Sequence, residues 1–166
     1  MAEEVLTSKL LAAGFWLATA ESLTGGALGS QLTASAGSSK IYLGGVVAYQ
    51  NAVKQELLGV SGSLMAQQGA VDAEVAAQMA GGVRARFAKI NQLPLERVIG
   101  VSTTGVAGPG EAEGKAPGTV FIGVSSEAGD AVYAFEFSGD RDQIREQSVV
   151  AAIDGVREQL QLLIGY

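Results

Sequence analysis

The sequence predicts an α/β fold, a three-layer α/β/α sandwich around a mixed and partly parallel sheet. Apolar residues at helical spacing alternate with short apolar runs typical of strands, which is the pattern of βαβ units. Two β-rich runs, 119–126 and 132–137, flank the turn 127–130 and predict an antiparallel hairpin. The chain has 166 residues, enough to bury a sizeable core, and we expect residues 1–166 to form one domain.

The spacing of apolar residues and the glycines at element ends define the predicted elements in the first half of the chain. Gly14 is placed as the C-cap of the first helix. Thr24-Gly25-Gly26 opens a second helix directly after a strand, and a further strand follows it. The predicted elements are helix 3–13, strand 15–20, a helix from Thr24 toward Thr33, strand 42–49 and helix 50–58.

Capping residues mark the two long helices of the second half. Asp72 is placed to N-cap a helix in which apolar residues recur every fourth position around Met79, a pattern typical of core packing. Asp140 and Gln143 are placed as a capping pair for the closing helix. The strands predicted between these helices are 97–103, 119–126 and 132–137.

The composition excludes several classes of enzyme. The chain has no histidine and no cysteine, so a Ser-His-Asp triad, a cysteine nucleophile, a disulfide and a Cys/His zinc site are all excluded. With 11 basic and 17 acidic residues the net charge is −6, which disfavours non-specific binding to nucleic acid. We expect a small-molecule or protein partner instead.

The N-terminus lacks the features of an export signal. Glu3 and Glu4 stand where a basic region would be, and no apolar run approaches the ~18 residues of a membrane span. The absence of cysteine fits a reducing compartment. We expect a cytoplasmic protein that does not attach to membranes.

The strongest chemical signal is the segment 19–26, Thr-Ala-Glu-Ser-Leu-Thr-Gly-Gly, which places Ser22 between a strand and a helix. Ligands of α/β sheets bind at the carboxyl ends of strands, where helix N-termini offer free N–H groups. Ser22 is therefore a candidate nucleophile, and the alternative is that Ser22 and Thr24 only cap the helix. The hydrolase G-x-S-x-G motif is absent, since Ala20 and Thr24 occupy its glycine positions.

A serine nucleophile in this chain needs a base other than histidine. Lys54 lies about one helical turn beyond the strand that ends at Tyr49, at the same sheet edge as Ser22. Uncharged surroundings there would lower the lysine pKa enough for it to accept the serine proton. The alternatives are a solvated surface lysine, a Tyr49 that packs in the core and an Asn51 that only caps or turns the chain.

The segment 102–110, which contains Thr104 and Gly105, also follows a strand and carries hydroxyls and glycines. It resembles a phosphate cradle only loosely, because the chain has no P-loop and no G-x-G-x-x-G motif. The alternative is a long turn into the next strand, with 111–117 as its flexible tip.

Arg141 and Arg145 lie in the first turns of the closing helix. Cations there oppose the helix dipole, and an anionic ligand would offset that effect. The alternative is a salt bridge to Asp142 or Glu146. For an acidic protein that binds a phosphate, these two arginines are the best placed positive charges.

Motifs along nearly the whole chain resemble the C-terminal domain of the CinA family, the nicotinamide-nucleotide amidohydrolases. Larger CinA proteins add an N-terminal molybdopterin-binding-like domain, and we expect this chain to be a free-standing form because 166 residues leave no room for it. The matching segments are 19–22, Thr24-Gly25-Gly26, 44–49 with Asn51 and Lys54, 58–60, 69–71, 104–109, 117–120 and 137–141.

The resemblance implies hydrolysis of the carboxamide of nicotinamide mononucleotide to nicotinic acid mononucleotide and ammonia, a step in pyridine nucleotide recycling. It implies Ser22 as the nucleophile, Lys54 as the base and Tyr49 as an assistant to that pair, with no metal or cofactor. The residues that it places around the substrate are Thr24, Gly25, Gly26, Thr104 and Gly105, with Arg145 and Arg141 at the 5′-phosphate.

The chain departs from the family pattern at two places. Position 23 is usually cysteine and is Leu23 here; its side chain should point away from Ser22, so we expect a packing change. The loop after Pro109 has less glycine than in the family, which bears on substrate affinity. Both departures leave Ser22 and Lys54 in place.

Relatives of this type commonly associate, so we expect a homo-oligomer that uses the exposed side of the Met79 helix or the hairpin. Two alternative functions stay open. One is a catalytically silent paralogue that binds a pyridine nucleotide as a regulatory module, and the other is an amidase for a related substrate.

Overall fold

A five-stranded sheet runs through the middle of the molecule, and helices cover both of its faces. The computed structural model describes residues 2–165. The elements in chain order are α1 (Ala2–Ala13), β1 (Trp16–Glu21), α2 (Ala27–Thr33), β2 (Tyr42–Val47), α3 (Asn51–Leu58), α4 (Gly62–Gln68), α5 (Ala73–Ile90), β3 (Val98–Gly105), β4 (Thr119–Ser126), β5 (Gly129–Glu136) and α6 (Arg141–Ile164), with short 3-10 turns at Ser38–Lys40 and Leu95–Arg97.

The sheet has the order β2-β1-β3-β4-β5 and is mixed. Strand β1 pairs in parallel with both β2 and β3, whereas β3, β4 and β5 pair antiparallel. Parallel strands need covered faces, which is why β1 is buried along almost its whole length. The α/β fold with a mixed sheet is confirmed.

The two faces of the sheet carry separate hydrophobic clusters, so the molecule has three layers. Side chains alternate along β1: Leu17 belongs to the cluster beneath α1, α2 and α6, and Ala18 and Ala20 belong to the cluster beneath α3, α4 and α5. Small side chains on β1 let the second helical layer approach the sheet closely. That layer carries Lys54 on α3.

The carboxyl ends of β1, β2 and β3 meet at one edge of the sheet. Glu21, the last residue of β1, pairs with Val47 on one side and with Thr103 on the other. The strand order reverses about β1, and this is where ligands bind in open α/β sheets. The predicted site segments therefore converge on this edge.

Both predicted N-terminal helix caps are confirmed. The Asp72 carboxylate accepts hydrogen bonds from the backbone N–H groups of Glu74 and Val75 at the start of α5. Asp140 and Gln143 form a reciprocal capping box at the start of α6.

Several predicted boundaries are wrong by a few residues. Strand β1 begins and ends one residue later than predicted, β2 ends at Val47 instead of at residue 49, and β5 begins at Gly129 and ends at Glu136. The hairpin turn is correspondingly shorter, because Ser126 already pairs with Gly129. Strand pairing extends wherever a partner strand is available, and the sequence pattern does not show the partner.

Two helices differ more substantially. Helix α2 begins at Ala27 and not at Thr24, because its N-cap Gly26 has φ 103, a left-handed conformation that helical residues do not adopt. Helix α4 was not predicted at all. No helix within residues 2–165 combines the length and the apolar character needed to cross a membrane.

Candidate active site

A cavity of about 250 Å³ opens at the carboxyl ends of β1 and β3. Three grooves elsewhere are larger, about 550, 590 and 480 Å³, but none of them is lined by a lysine. Within residues 2–165, no group of three or more acidic side chains is arranged to hold a metal ion. The cavity is lined by Ser22, Leu23, Tyr49, Asn51, Lys54, Ala70, Val71, Thr104–Gly108, Gly110, Ala112, Glu113 and Arg141.

Ser22 and Lys54 meet inside this cavity. The Lys54 Nζ donates a hydrogen bond to the Ser22 Oγ at 3.2 Å and another to the Tyr49 carbonyl oxygen at 3.3 Å. Lys54 is only 1% exposed, so the alternative of a solvated surface lysine is wrong. The topology thus brings together a hydroxyl and an amine that lie 32 residues apart in sequence.

Burial lowers the pKa of the Lys54 amine below its ordinary value of 10.5, and the negative charge of Glu113 partly opposes this effect. Among the side chains that the structure describes, no carboxylate lies within salt-bridge distance of Lys54. Lys54 therefore loses its proton, and becomes a neutral amine, at a lower pH than a solvated lysine does. In that form the same contact can reverse, so that the Ser22 hydroxyl donates to Nζ.

The backbone of Ser22 is fixed to the neighbouring strand. Its N–H donates to the Thr103 carbonyl oxygen at 3.0 Å and lies 3.3 Å from the Thr103 Oγ1. The Thr103 hydroxyl in turn contacts the Thr24 Oγ1 at 2.8 Å. These contacts hold the segment that contains Ser22 in register with β3 while the Ser22 side chain faces Lys54.

Glu21 organises the turn that follows β1, a role that the sequence motif did not reveal. Its Oε2 accepts hydrogen bonds from the Thr24 hydroxyl (2.6 Å) and from the N–H groups of Gly26 and Leu28 (both 3.0 Å), and its Oε1 accepts from the Gly29 N–H at 2.8 Å. Glu21 is 2% exposed. A buried carboxylate therefore occupies the N-terminal end of α2 that a ligand anion could otherwise bind.

The contacts of Glu21 overturn the helix-capping alternative for Ser22 and Thr24. The N-cap of α2 is Gly26, and neither hydroxyl caps the helix. One sequence signal could have identified Glu21, namely a lone carboxylate at the end of an otherwise apolar strand, because such a group needs several donors when it is buried.

The structure places Thr24, Gly25 and Gly26 outside the lining of the cavity. Thr24 bridges Glu21 and Thr103 through its hydroxyl. Gly25 and Gly26 have φ 59 and φ 103, which turns the chain from the strand into the helix. In this structure these residues shape the turn between β1 and α2 that follows Ser22.

Thr104 and Gly105 both line the cavity. The Thr104 hydroxyl donates to the Ala70 carbonyl oxygen at 2.8 Å and so connects β3 to the loop before α5. Gly105 is tightly enclosed, since a Cβ there would lie 2.7 Å from a Val120 methyl group. A larger residue at 105 would displace the cavity wall.

The two arginines of α6 have different surroundings. Arg141 lines the cavity, and its guanidinium donates to the Gly108 carbonyl oxygen at 2.6 Å and to the Tyr49 hydroxyl at 3.4 Å. Arg145 lies outside the cavity lining; it donates to the Leu23 and Thr24 carbonyl oxygens and pairs with Asp142 at 3.7 Å. The salt bridge expected as the alternative is thus present for Arg145.

Tyr49 and Leu23 both line the cavity but differ in burial. Tyr49 is 56% exposed, so the alternative that it packs in the core is wrong. Leu23 is buried in the cluster beneath α6, as a packing residue would be, and it also touches the cavity wall. Its Cδ1 lies 3.1 Å from the position of a Cβ on Gly105.

Comparison with known proteins agrees with the motifs. A family model described as the CinA C-terminal domain matches residues 1–160. A CinA-like protein of Acaryochloris marina is 44% identical over 161 residues, which are 95% of this chain and 36% of that protein. A CinA-like protein of Frankia casuarinae is 42% identical over 158 residues, 95% of this chain and 35% of that protein. The chain spans about a third of the length of these curated relatives.

Solved structures of the same superfamily share the fold. A competence-damaged protein (CinA) superfamily protein from Enterobacter cloacae superposes with a TM-score of 0.86 at 31% identity, covering 96% of this chain and 90% of that one. The corresponding superfamily protein from Escherichia coli superposes with a TM-score of 0.85 at 28% identity, covering 95% and 88%. The chain belongs to the CinA family, and it matches the C-terminal domain of that family.

Proposed function

We propose that this chain hydrolyses the carboxamide of nicotinamide mononucleotide, giving nicotinic acid mononucleotide and ammonia, with Ser22 as the nucleophile and Lys54 as the base. The observation that carries the proposal is the buried contact between Lys54 Nζ and Ser22 Oγ inside a cavity. Membership of the CinA family supports an amidase of this kind.

The first half of the reaction is the acylation of Ser22. Neutral Lys54 takes the hydroxyl proton as the Ser22 Oγ attacks the amide carbon, and the carbonyl oxygen becomes an oxyanion. Collapse of this intermediate breaks the C–N bond. The Lys54 ammonium returns its proton to the departing nitrogen, so ammonia leaves and a Ser22 ester remains.

The second half is hydrolysis of that ester. Water enters the position that ammonia has left, and neutral Lys54 removes one of its protons as the water oxygen attacks the acyl carbon. The proton then passes to the Ser22 Oγ as the ester bond breaks. The products are the free serine and the pyridine carboxylate.

The oxyanion needs donors that the fold has not already used. Within residues 2–165, the N–H group of Leu23 has no hydrogen-bond acceptor; it follows the nucleophile directly in the chain and belongs to a residue that lines the cavity. It is the candidate oxyanion donor. Arg145 would support it, because its guanidinium donates to the carbonyl oxygen of the same residue.

The size of the cavity sets how the nucleotide can lie. About 250 Å³ is just below the ~300 Å³ lower end for small-molecule pockets, so the cavity suits the pyridine carboxamide and leaves the ribose phosphate near its mouth. Arg141 and Tyr49 border that mouth and are exposed. In this arrangement Arg141 meets the 5′-phosphate.

The decisive experiment measures ammonia and the acid product after the purified chain is incubated with nicotinamide mononucleotide. We expect release by the unmodified chain and a fall in kcat of about 10³-fold or more in Ser22→Ala and in Lys54→Ala. Lys40→Ala is the matched control, because Lys40 is an exposed lysine outside the cavity.

The possible outcomes distinguish the proposed amidase from the alternative functions. No release by the unmodified chain would contradict the amidase, and full activity of Ser22→Ala would contradict the mechanism. Binding of the nucleotide without release would favour the silent regulatory paralogue. Weak release, with faster release from a related amide, would favour a different substrate.

A further inference from the structure

The segment before β4 forms a small hairpin whose tip carries Glu113. Ala112 and Lys115 exchange two backbone hydrogen bonds of 3.0 and 2.9 Å around Glu113 and Gly114. Both central residues have positive φ, 55 and 72, a conformation for which glycine, asparagine and aspartate are favoured. Glu113 is thus held in an unfavourable backbone conformation, as residues at functional sites often are.

The Glu113 side chain turns back onto the loop that precedes α5. Its Oε2 accepts a hydrogen bond from the Val71 N–H at 3.1 Å. Gly69 makes this approach possible, because a Cβ at that position would overlap the carboxylate. Lys115 completes the attachment by donating to the Gln68 carbonyl oxygen at 3.0 Å.

These contacts fix a negative charge on the wall of the cavity. Glu113 is the one acidic side chain among the cavity-lining residues of the described chain, and Arg141 and Lys54 are the basic ones. Arg141 borders the mouth through its contacts with Gly108 and Tyr49. The field of Glu113 reaches the buried amine, whose pKa it raises.

We infer that Glu113 is a specificity residue that favours a cationic ring in the cavity, with Arg141 meeting the anionic end of the same ligand. The inference rests on the proposed function. The oxidised pyridine nucleotide carries a positive charge on its ring and a negative charge on its phosphate, which complements this pair of fixed charges. The reduced nucleotide is similar in size and shape but its ring is uncharged. Glu113 therefore favours binding of the oxidised nucleotide over the reduced one.

The test compares binding of oxidised and reduced nicotinamide mononucleotide by calorimetry in a Ser22→Ala background, where turnover does not interfere. Glu113→Gln keeps an acceptor oxygen for Val71 and removes the charge. Because Glu113 is exposed, its effect is screened, and we expect the ratio of the reduced to the oxidised Kd to fall about threefold to fivefold. Glu111→Gln, an exposed neighbour outside the cavity lining, should leave the ratio unchanged.

The outcomes distinguish this inference from the proposed function. If the unmodified chain hydrolyses the oxidised nucleotide and Ser22→Ala binds it, an unchanged ratio on adding Glu113→Gln overturns the role of Glu113 alone. The same is true if Glu111→Gln lowers the ratio equally, since a general surface charge would then explain it. A chain that neither binds nor hydrolyses the oxidised nucleotide overturns both.

Discussion

Lys54 combines three properties that rarely occur in one residue. Its side chain is 1% exposed, it has no carboxylate within salt-bridge distance among the described side chains, and its amine touches a serine hydroxyl. An ammonium group in such surroundings lacks the solvation that it has in water, so burial lowers the pKa of Lys54 and the neutral amine costs less to form than in water. A neutral amine is what a general base requires.

The pH dependence of activity follows from the lowered pKa of Lys54. We expect kcat/KM to rise with pH as Lys54 loses its proton, and to level off below the ordinary lysine pKa of 10.5. Glu113→Gln should move this rise to lower pH, because it removes the charge that partly opposes the effect of burial. Initial rates measured across a range of pH test this prediction, and a rise of kcat/KM only at or above pH 10.5 would contradict it.

The free energy of unfolding should also depend on the titration of Lys54. The pKa of Lys54 is lower in the folded chain than in the unfolded chain, so between the two values the unfolded state binds more protons and the free energy of unfolding rises with pH. This contribution is complete above 10.5 and is lost as pH falls through the folded pKa. The free energy of unfolding of Lys54→Met, measured with urea, should not show this rise with pH. A rise identical to that of the unmodified chain would contradict the prediction.

The residues of the site were predictable to different degrees. Ser22 and Lys54 were identifiable because each follows a strand whose carboxyl end reaches the same sheet edge. The roles of Glu21 and Glu113 were not, because a carboxylate acquires its role from donors such as the Gly26 and Val71 N–H groups, whose directions only the folded backbone fixes.

At the level of elements, α3 is held in place by α5. Gly82 of α5 faces the Leu58 carbonyl oxygen at the end of α3, and a Cβ there would overlap that oxygen. The Lys54 carbonyl oxygen also accepts the N–H of Val60, which closes the helix end. The close approach of the two helices therefore contributes to where Lys54 sits relative to Ser22.

The adjacent glycines of α5 give a matched test of this packing. We expect Gly82→Ala to lower the free energy of unfolding by about 1–3 kcal/mol and to lower kcat, because α3 must move. Gly81→Ala should raise stability by up to ~1 kcal/mol, since its Cβ would find only the Ser125 Oγ at 3.9 Å. Urea unfolding and initial rates provide the measurements, and equal effects at the two positions would contradict the packing role.

The sequence predicted long elements better than short ones. Helix α5 and helix α6 have strong caps and long apolar periods, and both were predicted. Helix α4 has seven residues and no charged residue, so its periodicity is too short to distinguish from a loop. The start of α2 was misplaced because Glu21, and not a local hydroxyl, satisfies its N-terminal N–H groups.

At the scale of the whole molecule, the expected homo-oligomer stays a prediction. On the two faces that the sequence suggested, Val132 of the hairpin is 37% exposed and Ile90 at the end of α5 is 62% exposed. We expect light scattering to give a mass that is a multiple of 16.9 kDa, and Val132→Lys or Ile90→Lys to reduce it. A mass of one chain at all concentrations would contradict the prediction.

The burial of Lys54 also has an evolutionary consequence. An apolar side chain of similar length at position 54 would remove an unfavourable buried amine, so replacing this lysine should make the fold more stable while abolishing the proposed hydrolysis. Selection for stability and selection for turnover therefore act in opposite directions on one codon. In a lineage that no longer needs the reaction, we expect this lysine to be among the first residues lost, so the identity of residue 54 in a relative records which selection has acted on it.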